Sequence, residues 1–141
     1  MSNIKFKSQL AQINWTQIVE LFELVGWSTR TEIEIKSAFG QSSYCCFAMD
    51  GDQLVGFGRT VDDGQYYALI VDLVIHPNYQ KQGIGSQLLD YLKNRLSSYL
   101  FVTLTAAPGK DGFYIKKNWK RQRSAFIWPQ NLKQKKEHCL E

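Results

Sequence analysis

The sequence predicts a mixed α+β fold in which helices flank one sheet with both antiparallel and parallel strands. Two observations support this prediction. First, two apolar runs on either side of Asp50-Gly51 are typical of a β-hairpin, whose strands are antiparallel. Second, an apolar strand from about Tyr67 to Ile75, a helix that ends near Leu96 and a buried strand over residues 99–105 form a strand–helix–strand unit, whose two strands run parallel.

The other elements are predicted from capping residues and apolar periodicity. Asn14 is suited to cap one amphipathic helix, and Gly26 ends it. Thr31 and Glu34 have the spacing of a capping box, which predicts a second helix that stops at Gly40. The remaining predicted elements are a first strand (residues 4–8), the two hairpin strands (44–49 and 54–61), a short helix around Tyr114 and a last strand (126–128).

The length and composition predict a single domain, with a basic C-terminal tail from about residue 130. A chain of 141 residues can bury a core without disulfides or metal. The three cysteines have neither disulfide nor metal-ligand spacing, so no metal is expected. The sequence holds no apolar run near the ~20 residues of a membrane helix and no apolar signal-peptide core, so we expect a cytoplasmic protein without a membrane partner.

The charge is concentrated near the C-terminus. Residues 1–108 hold 8 basic and 10 acidic residues, a net −2, whereas residues 109–141 hold 9 and 3, a net +6, which gives the total of +4. Lys110, Lys116 and Lys117 are placed to steer an anion. For the tail lysines after residue 130 we predict a solvated surface, and nucleic acid is a minor option because no aromatic residues interleave with them.

The segment Gln80-Lys81-Gln82-Gly83-Ile84-Gly85-Ser86 predicts an anion-binding turn. It follows an apolar strand that ends in Val-Ile-His-Pro, and it leads into a helix. Its two glycines let the backbone curve around an anion, and the N–H groups at a helix start have no helical acceptors. A dinucleotide-binding fingerprint is excluded because its third glycine would fall near Leu88, and a Walker loop is excluded because no Lys-Ser or Lys-Thr pair follows.

The pattern Gln80-x-x-Gly83-x-Gly85 after Val-Ile-His-Pro resembles the acetyl-CoA signature of the GNAT family of N-acetyltransferases. A second segment, residues 112–119, resembles the Phe-Tyr-x-Lys-x-Gly-Phe motif of that family. Here Asn118 stands where glycine is usual, and Trp119 stands where phenylalanine is usual. Asparagine is a common substitute for glycine in a left-handed helix cap, so this departure is mild. The resemblance covers roughly residues 44–128.

The resemblance implies acetyl-CoA as co-substrate and a sheet whose two central parallel strands splay apart after a bulge. The pantetheine arm of the cofactor would enter that gap. The residues expected to bind the cofactor are Leu73, Val74 and Ile75 through their main chain, Gln80, Lys81, Gln82, Gly83, Ile84, Gly85 and Ser86 around the pyrophosphate, and Phe113 and Lys116 beside the second motif.

The resemblance also implies direct transfer of the acetyl group to a primary amine. Tyr114 matches the catalytic tyrosine of the family, which protonates the departing thiolate. Asp72 interrupts an apolar strand, so it is either a base or substrate anchor, or else a structural carboxylate. His76 is an alternative base, although a cap is the commoner role for a histidine before proline. Many family members have Asn or Asp where this chain has Ala107, which affects acceptor orientation.

The resemblance implies an acceptor pocket built from the first two helices, the loop between them (residues 26–30), the hairpin and the last strands, with Trp27 and Arg30 as binding residues. Trp27, Trp128, Phe39 and Tyr66 suggest an apolar slot for an amine, loosely similar to the arylalkylamine or serotonin-type branch of the family. Arg30 is instead suited to a carboxylate or phosphate, which favours an amino acid or a modified sugar. We expect the primary amine of a small molecule as acceptor. The alternatives are protein lysine, a non-catalytic acetyl-CoA-binding module and a nucleic-acid-binding domain, and a homodimer is a further option.

Overall fold

A computed structural model describes residues 3–27 and 29–141 of the chain. These residues fall into two compact units, residues 1–104 and residues 105–141, which we call the sheet unit and the C-terminal unit. No helix within the described ranges is long and apolar enough to cross a membrane. The single domain inferred from the length stays a prediction.

The sheet unit contains one five-stranded sheet, and this confirms the predicted mixed α+β fold. Its strands lie in chain order, and every neighbouring pair is antiparallel except the last, which is parallel. The strands are β1 (Ile4–Lys7), β2 (Cys45–Asp50), β3 (Gln53–Asp62), β4 (Tyr67–Ile75) and β5 (Phe101–Leu104). The helices are α1 (Trp15–Leu24), α2 (Glu32–Gln41) and α3 (Ile84–Arg95), and a 3₁₀ turn, Pro77–Tyr79, precedes α3.

The first two helices begin at the predicted capping residues. The side chain of Asn14 accepts a hydrogen bond from the N–H of Gln17, and Thr31 and Glu34 exchange the two reciprocal bonds of a capping box. The predicted end of α2 is wrong by one residue, because the helix passes through Gly40 and ends at Gln41.

The helices lie on opposite faces of the sheet. Phe57 of β3 belongs to the core cluster that includes Phe22 of α1 and Phe39 of α2. Its neighbours Gly56 and Gly58 point the other way, since a Cβ on either residue would lie close to a leucine Cδ1 of α3, at 3.3 and 2.9 Å. The absence of side chains at these two positions therefore allows α3 to pack directly on the strand.

Strand β4 contains a bulge at Asp72, whose φ of 53° is left-handed. The register between β3 and β4 shifts there, so that Phe57 pairs with Val74 whereas Arg59 pairs with Val71. The parallel ladder with β5 ends two residues earlier, where Ile70 pairs with Leu104. Because β5 itself ends at Leu104, the ladder stops two residues before the bulge, and the splay of the two parallel strands stays a prediction.

The C-terminal unit contains α4 (Asp111–Lys116) and α5 (Leu132–His138). The predicted strand at residues 126–128 is wrong, because this segment has no regular structure and the side chains of Phe126 and Trp128 are 98% and 85% exposed. A run of three apolar residues forms a strand only where a neighbouring strand accepts its hydrogen bonds. The basic tail has a helix that the sequence analysis missed, and Asn131 caps it.

Candidate active site

The turn after β4 presents backbone N–H groups that have no helical acceptor. Gly83 has a φ of 84° and forms the N-cap of α3 without a side-chain hydrogen bond. The first helical bond runs from the N–H of Gln87 to the carbonyl of Gly83, at 3.1 Å. The N–H groups of Ile84, Gly85 and Ser86 precede that bond and lie at the positive end of the helix dipole. The geometry of this segment, which we call the anion turn, therefore suits a phosphate group.

Two glutamines hold the anion turn through their side chains. The amide nitrogen of Gln80 donates to the carbonyl of Ile75 at 3.3 Å, and that of Gln82 donates to the carbonyl of Asn78 at 3.4 Å. Lys81 between them has a left-handed φ of 64° and an exposed side chain. The structure thus gives both glutamines a supporting role, while the backbone N–H groups and the exposed Lys81 side chain provide hydrogen-bond donors.

The main chain of β4 beyond the bulge has a strand neighbour on one side only. Val74 pairs with Phe57 and Ile75 pairs with Gly56 on β3. On the other side, the ladder to β5 has already ended at Ile70, and no other strand of the described residues takes its place. The stretch that includes Leu73, for which a contact with the pantetheine arm is predicted, thus borders no described strand on that side.

Asp72, at the bulge, is held by two arginines. Its Oδ1 accepts a hydrogen bond from Nη1 of Arg30, and its Oδ2 accepts one from Nε of Arg59, both at 2.8 Å. The Asp72 side chain is only 7% exposed, and the paired charges compensate its burial. Because both oxygens already accept from guanidinium groups, the geometry favours a structural carboxylate over a general base.

Arg59 is a site residue that the sequence analysis missed. Besides the ion pair with Asp72, its Nη1 donates to the hydroxyl of Ser42 at 3.3 Å, and its guanidinium lies 5.6 Å from the centre of the Phe39 ring. A signal for it existed, because Arg59 is the one basic residue of β3, much as Asp72 is the one acidic residue of β4.

Arg30 lies above two aromatic rings at the end of the α1–α2 loop. Its guanidinium carbon is 4.7 Å from the centre of the Phe22 ring and 5.4 Å from that of Trp27, and these two rings stack on each other. The Arg30 side chain nevertheless stays 40% exposed. The rings and Asp72 therefore fix the charged group without burying it. Ser28 of the predicted loop lies outside the described residues.

Arg30 and Asp72 line a pocket of about 330 Å³ between α2 and the β4 bulge. This volume is within the range of small-molecule sites. Its lining combines the apolar residues Phe22, Ile35, Ala38 and Phe39 with the polar residues Thr29, Arg30, Glu34 and Asp72. We call this cavity the acceptor pocket.

The four aromatic residues suggested for an apolar slot do not form one in the sheet unit. Phe39 lines the acceptor pocket, but it is buried in the core. Trp27 packs below Arg30, outside the pocket lining. Tyr66 is exposed and precedes β4, six residues from Asp72, which is roughly 20 Å along an extended strand. Trp128 belongs to the C-terminal unit.

Tyr114 lies on α4 in the C-terminal unit, packed between the rings of Phe113 and Trp119. Burial raises the pKa of the Tyr114 phenol, so the hydroxyl stays protonated at neutral pH. The end of this helix confirms the interpretation of Asn118, whose φ is 67°. The N–H groups of Trp119 and Asn118 bond to the carbonyls of Tyr114 and Ile115, which is the Schellman pattern.

The other residues of the predicted site have local roles. The Nδ1 atom of His76 accepts from the N–H of Asn78 at 3.1 Å, so this histidine caps the 3₁₀ turn. Ala107 accepts a hydrogen bond from Lys110 through its carbonyl, in a turn that precedes α4. Lys116 is exposed in the last turn of that helix, where its charge complements the helix dipole.

A family model described as "Acetyltransferase (GNAT) domain" matches residues 20–127 of the sequence. The chain belongs to the GNAT family. A protein of Prochlorococcus marinus named "uncharacterized N-acetyltransferase ycf52-like" is 33% identical over 129 residues, which are 84% of this chain and 72% of the relative. A Porphyra purpurea protein with a similar name is 32% identical over 117 residues, 79% of this chain and 67% of its own length.

Solved GNAT structures have the same fold. A GNAT-family acetyltransferase from Streptococcus pneumoniae superposes with a TM-score of 0.75 at 30% identity, over 89% of this chain and 97% of the other. A probable acetyltransferase from Staphylococcus aureus gives 0.79 at 21% identity, over 92% and 100%. The protein is thus an N-acetyltransferase of the GNAT family.

Proposed function

We propose that this GNAT protein transfers the acetyl group of acetyl-CoA directly to the primary amine of a small molecule. The observation that carries the proposal is the combination of the anion turn with the one-sided stretch of β4 directly before it. The anion turn offers N–H groups that can donate hydrogen bonds to a phosphate. The stretch of β4 offers backbone groups for an extended amide-containing arm. The two are consecutive in the chain, as the parts of coenzyme A are consecutive in the ligand.

Acetyl-CoA fits the residues present. A Cβ built on Gly83 would meet no atom within 4 Å, so the space in front of the turn is open to a ligand. The N–H groups at the start of α3 would hold the pyrophosphate, and the main chain of Leu73 to Ile75 would hold the pantetheine arm. The co-substrate supplies an activated acetyl thioester, and the backbone N–H near Ile75 is our candidate for polarising its carbonyl.

Tyr114 is the proposed proton donor to the leaving thiolate. Its raised pKa keeps the phenol protonated at neutral pH, which is the form that the role requires. Tyr114→Phe removes the proton and retains the ring contacts with Phe113 and Trp119, so we expect kcat to fall about 100-fold with an unchanged KM for acetyl-CoA. Steady-state kinetics would check this, and full activity of the variant would reduce Tyr114 to a packing residue.

Asp72 is proposed to position Arg30 rather than to accept the proton of the amine. Both of its oxygens accept hydrogen bonds from arginines. We therefore propose that water takes the proton of the ammonium group, or that the amine binds in its neutral form. The arylalkylamine assignment stays a prediction, because among the aromatic residues of the sheet unit that suggested it only Phe39 lines the acceptor pocket. The cytoplasmic location and the homodimer also stay predictions.

The direct test is thiol release from acetyl-CoA by the purified protein with arylalkylamines, amino acids, aminosugars, polyamines and a lysine peptide. Turnover with one small-molecule class supports the proposal, whereas turnover with the peptide alone supports protein lysine as acceptor. If acetyl-CoA binds but none of these amines is acetylated, either the acceptor lies outside the panel or the protein is a non-catalytic binding module. If acetyl-CoA does not bind, the assignment of the anion turn is wrong.

A further inference from the structure

The cluster of Arg30, Asp72 and Arg59 has more positive than negative charge. One carboxylate faces two guanidinium groups, which leaves a net +1. The two arginines are placed differently, because Arg59 is mostly buried and also donates to Ser42 and to the carbonyl of Ala38, whereas Arg30 is 40% exposed and lines the acceptor pocket. Arg30 is therefore the member of the cluster that brings positive charge to the pocket, whose lining also contains the carboxylates of Glu34 and Asp72.

Arg30 is also held in a fixed orientation with hydrogen-bonding capacity to spare. Within the described residues its ion pair uses Nη1, while a guanidinium has five N–H donors in a planar fork. The stacked rings of Phe22 and Trp27 support its plane from below. A guanidinium fixed in this way loses little conformational entropy when it forms a bidentate contact with a carboxylate or a phosphate.

We propose that Arg30 makes the acceptor pocket selective for amines that also carry an anionic group, a carboxylate or a phosphate. This inference rests on the proposed function, since it names the class of acceptor for the same site. An amine without an anionic group brings only positive charge to the exposed guanidinium, and it leaves the remaining donors of Arg30 to water. An amino acid or a phosphorylated aminosugar satisfies them.

Glu34 provides an opposite charge in the lining of the same pocket. Its Oε1 accepts from both the N–H and the hydroxyl of Thr31, at 3.0 and 2.9 Å. These bonds, the backbone one first, lower the pKa of the Glu34 carboxyl, so it is ionised at neutral pH. An anionic group is thus attracted to Arg30 and repelled by Glu34, and the two charges together set one orientation for a molecule that carries both signs.

The test uses pairs of amines that differ only in the anionic group. The pairs are tryptophan with tryptamine, phenylalanine with phenethylamine, and glucosamine 6-phosphate with glucosamine. We expect at least one anionic member to have a kcat/KM about tenfold or more above that of its partner, because charge-assisted hydrogen bonds are lost in the partner. The carboxylate and phosphate pairs separate the two sources of negative charge.

Arg30→Gln should bring that ratio close to one while the KM for acetyl-CoA stays the same. Arg30→Lys keeps the charge without the planar fork and should retain part of the preference. The matched control is Arg95→Gln, since Arg95 is an exposed arginine of α3 that lies 5.1 Å from the Tyr91 ring centre, as Arg30 lies above Phe22. The control should leave the ratio unchanged, and thermal melting would verify that all variants are folded.

Calorimetric binding of the same six compounds to the CoA-bound protein separates this proposal from the proposed function. Tighter binding of the anionic members that is lost in Arg30→Gln supports the role of Arg30, even if no compound is acetylated. In that case the proposed transfer to these amines is wrong, but the proposed role of Arg30 is not. Equal or tighter binding of the neutral-tail partners in all three pairs, or a preference that persists in Arg30→Gln, overturns the role of Arg30.

Discussion

The anion turn and the acceptor pocket lie at the two ends of one stretch of β4 and its exit, yet they are built from different groups. The turn offers backbone N–H groups from one continuous segment, and the side chains of two glutamines support it. The pocket uses charged side chains, and its central ion pair joins residues that are 42 positions apart. The turn therefore depends on local backbone conformation, whereas the pocket depends on tertiary packing.

This difference matches the two ligands that we propose. Every member of an acetyl-CoA-dependent family must bind the same pyrophosphate, and backbone donors keep that capacity through most side-chain changes. Acceptors differ between family members, and a pocket lined by side chains changes its specificity when one of them is replaced. Substitutions at the two regions should therefore affect different kinetic constants.

The largest effect is expected from Gly83→Val in the anion turn. The φ of 84° at this position is disfavoured for a β-branched residue, and the side chain would occupy the open space in front of the turn. We expect the affinity for acetyl-CoA to fall at least tenfold, since a left-handed conformation alone costs about 1–2 kcal/mol. Calorimetry would measure it.

Gly40→Ala is the matched control, because Gly40 lies inside α2 without a positive φ and with no atom near its missing Cβ. It should bind acetyl-CoA as the original protein does. Unchanged binding by Gly83→Val would show that the turn does not contact the cofactor. The assignment of the anion turn to acetyl-CoA would then be wrong.

A smaller effect is expected from Asp72→Asn in the acceptor pocket. Asparagine tolerates the left-handed φ but cannot pair with two arginines, so Arg30 loses its anchor. We expect the KM of the acceptor to rise about tenfold, as for the loss of a charge-assisted bond, with acetyl-CoA affinity retained. If kcat falls instead and the acidic limb of its pH profile disappears, Asp72 is the general base.

The sequence predicted these two regions unequally, and the reason is the range of their interactions. The anion turn, the caps at Asn14 and Thr31 and the left-handed Asn118 depend on residues a few positions away, so the order of residue types reveals them. The partners of Asp72 are distant in the chain. The sequence marks Asp72 as unusual in an apolar strand, but only the packing of α2 and the hairpin brings Arg30 and Arg59 to it.

The failed strand at residues 126–128 has the same explanation. Its apolar pattern is compatible with a strand, but a strand also requires a partner, and a three-residue pattern does not identify one. In contrast, the hairpin strands were predicted almost to the residue because the Asp50-Gly51 turn brings each strand its partner.

The smallest effect is expected for Asp62→Asn. Asp62 is a useful comparison with Asp72, because its carboxylate accepts hydrogen bonds from neutral hydroxyl groups instead of arginines. Asp62 accepts from the hydroxyls of Ser43, Thr60 and Tyr99, at 2.6, 2.8 and 2.6 Å. Burial raises the pKa of Asp62, but these bonds outweigh it and the net pKa is lowered; in return, the pKa of Tyr99 rises to about 12. We expect Asp62→Asn to lower the free energy of unfolding by about 1–3 kcal/mol without changing either KM.

The sign of its pH dependence follows from the lowered pKa. The stabilisation is present above the pKa of Asp62 in the unfolded chain, about 3.9, and it is lost as the pH falls through the lower value of the folded state. Urea unfolding between about pH 6 and pH 2 should therefore show a smaller loss of stability on acidification in Asp62→Asn. An equal loss in both proteins would mean that Asp62 does not contribute to acid unfolding.

The left-handed bulge at Asp72 also limits how the protein can evolve. Glycine tolerates the φ of 53° but cannot pair with the arginines, whereas glutamate can pair with them but does not favour this φ. Asparagine tolerates the φ but offers the arginines one oxygen in place of two. No single replacement meets both demands. New acceptor specificities in this lineage should therefore arise through changes at Arg30 and on α2, while aspartate is retained at position 72.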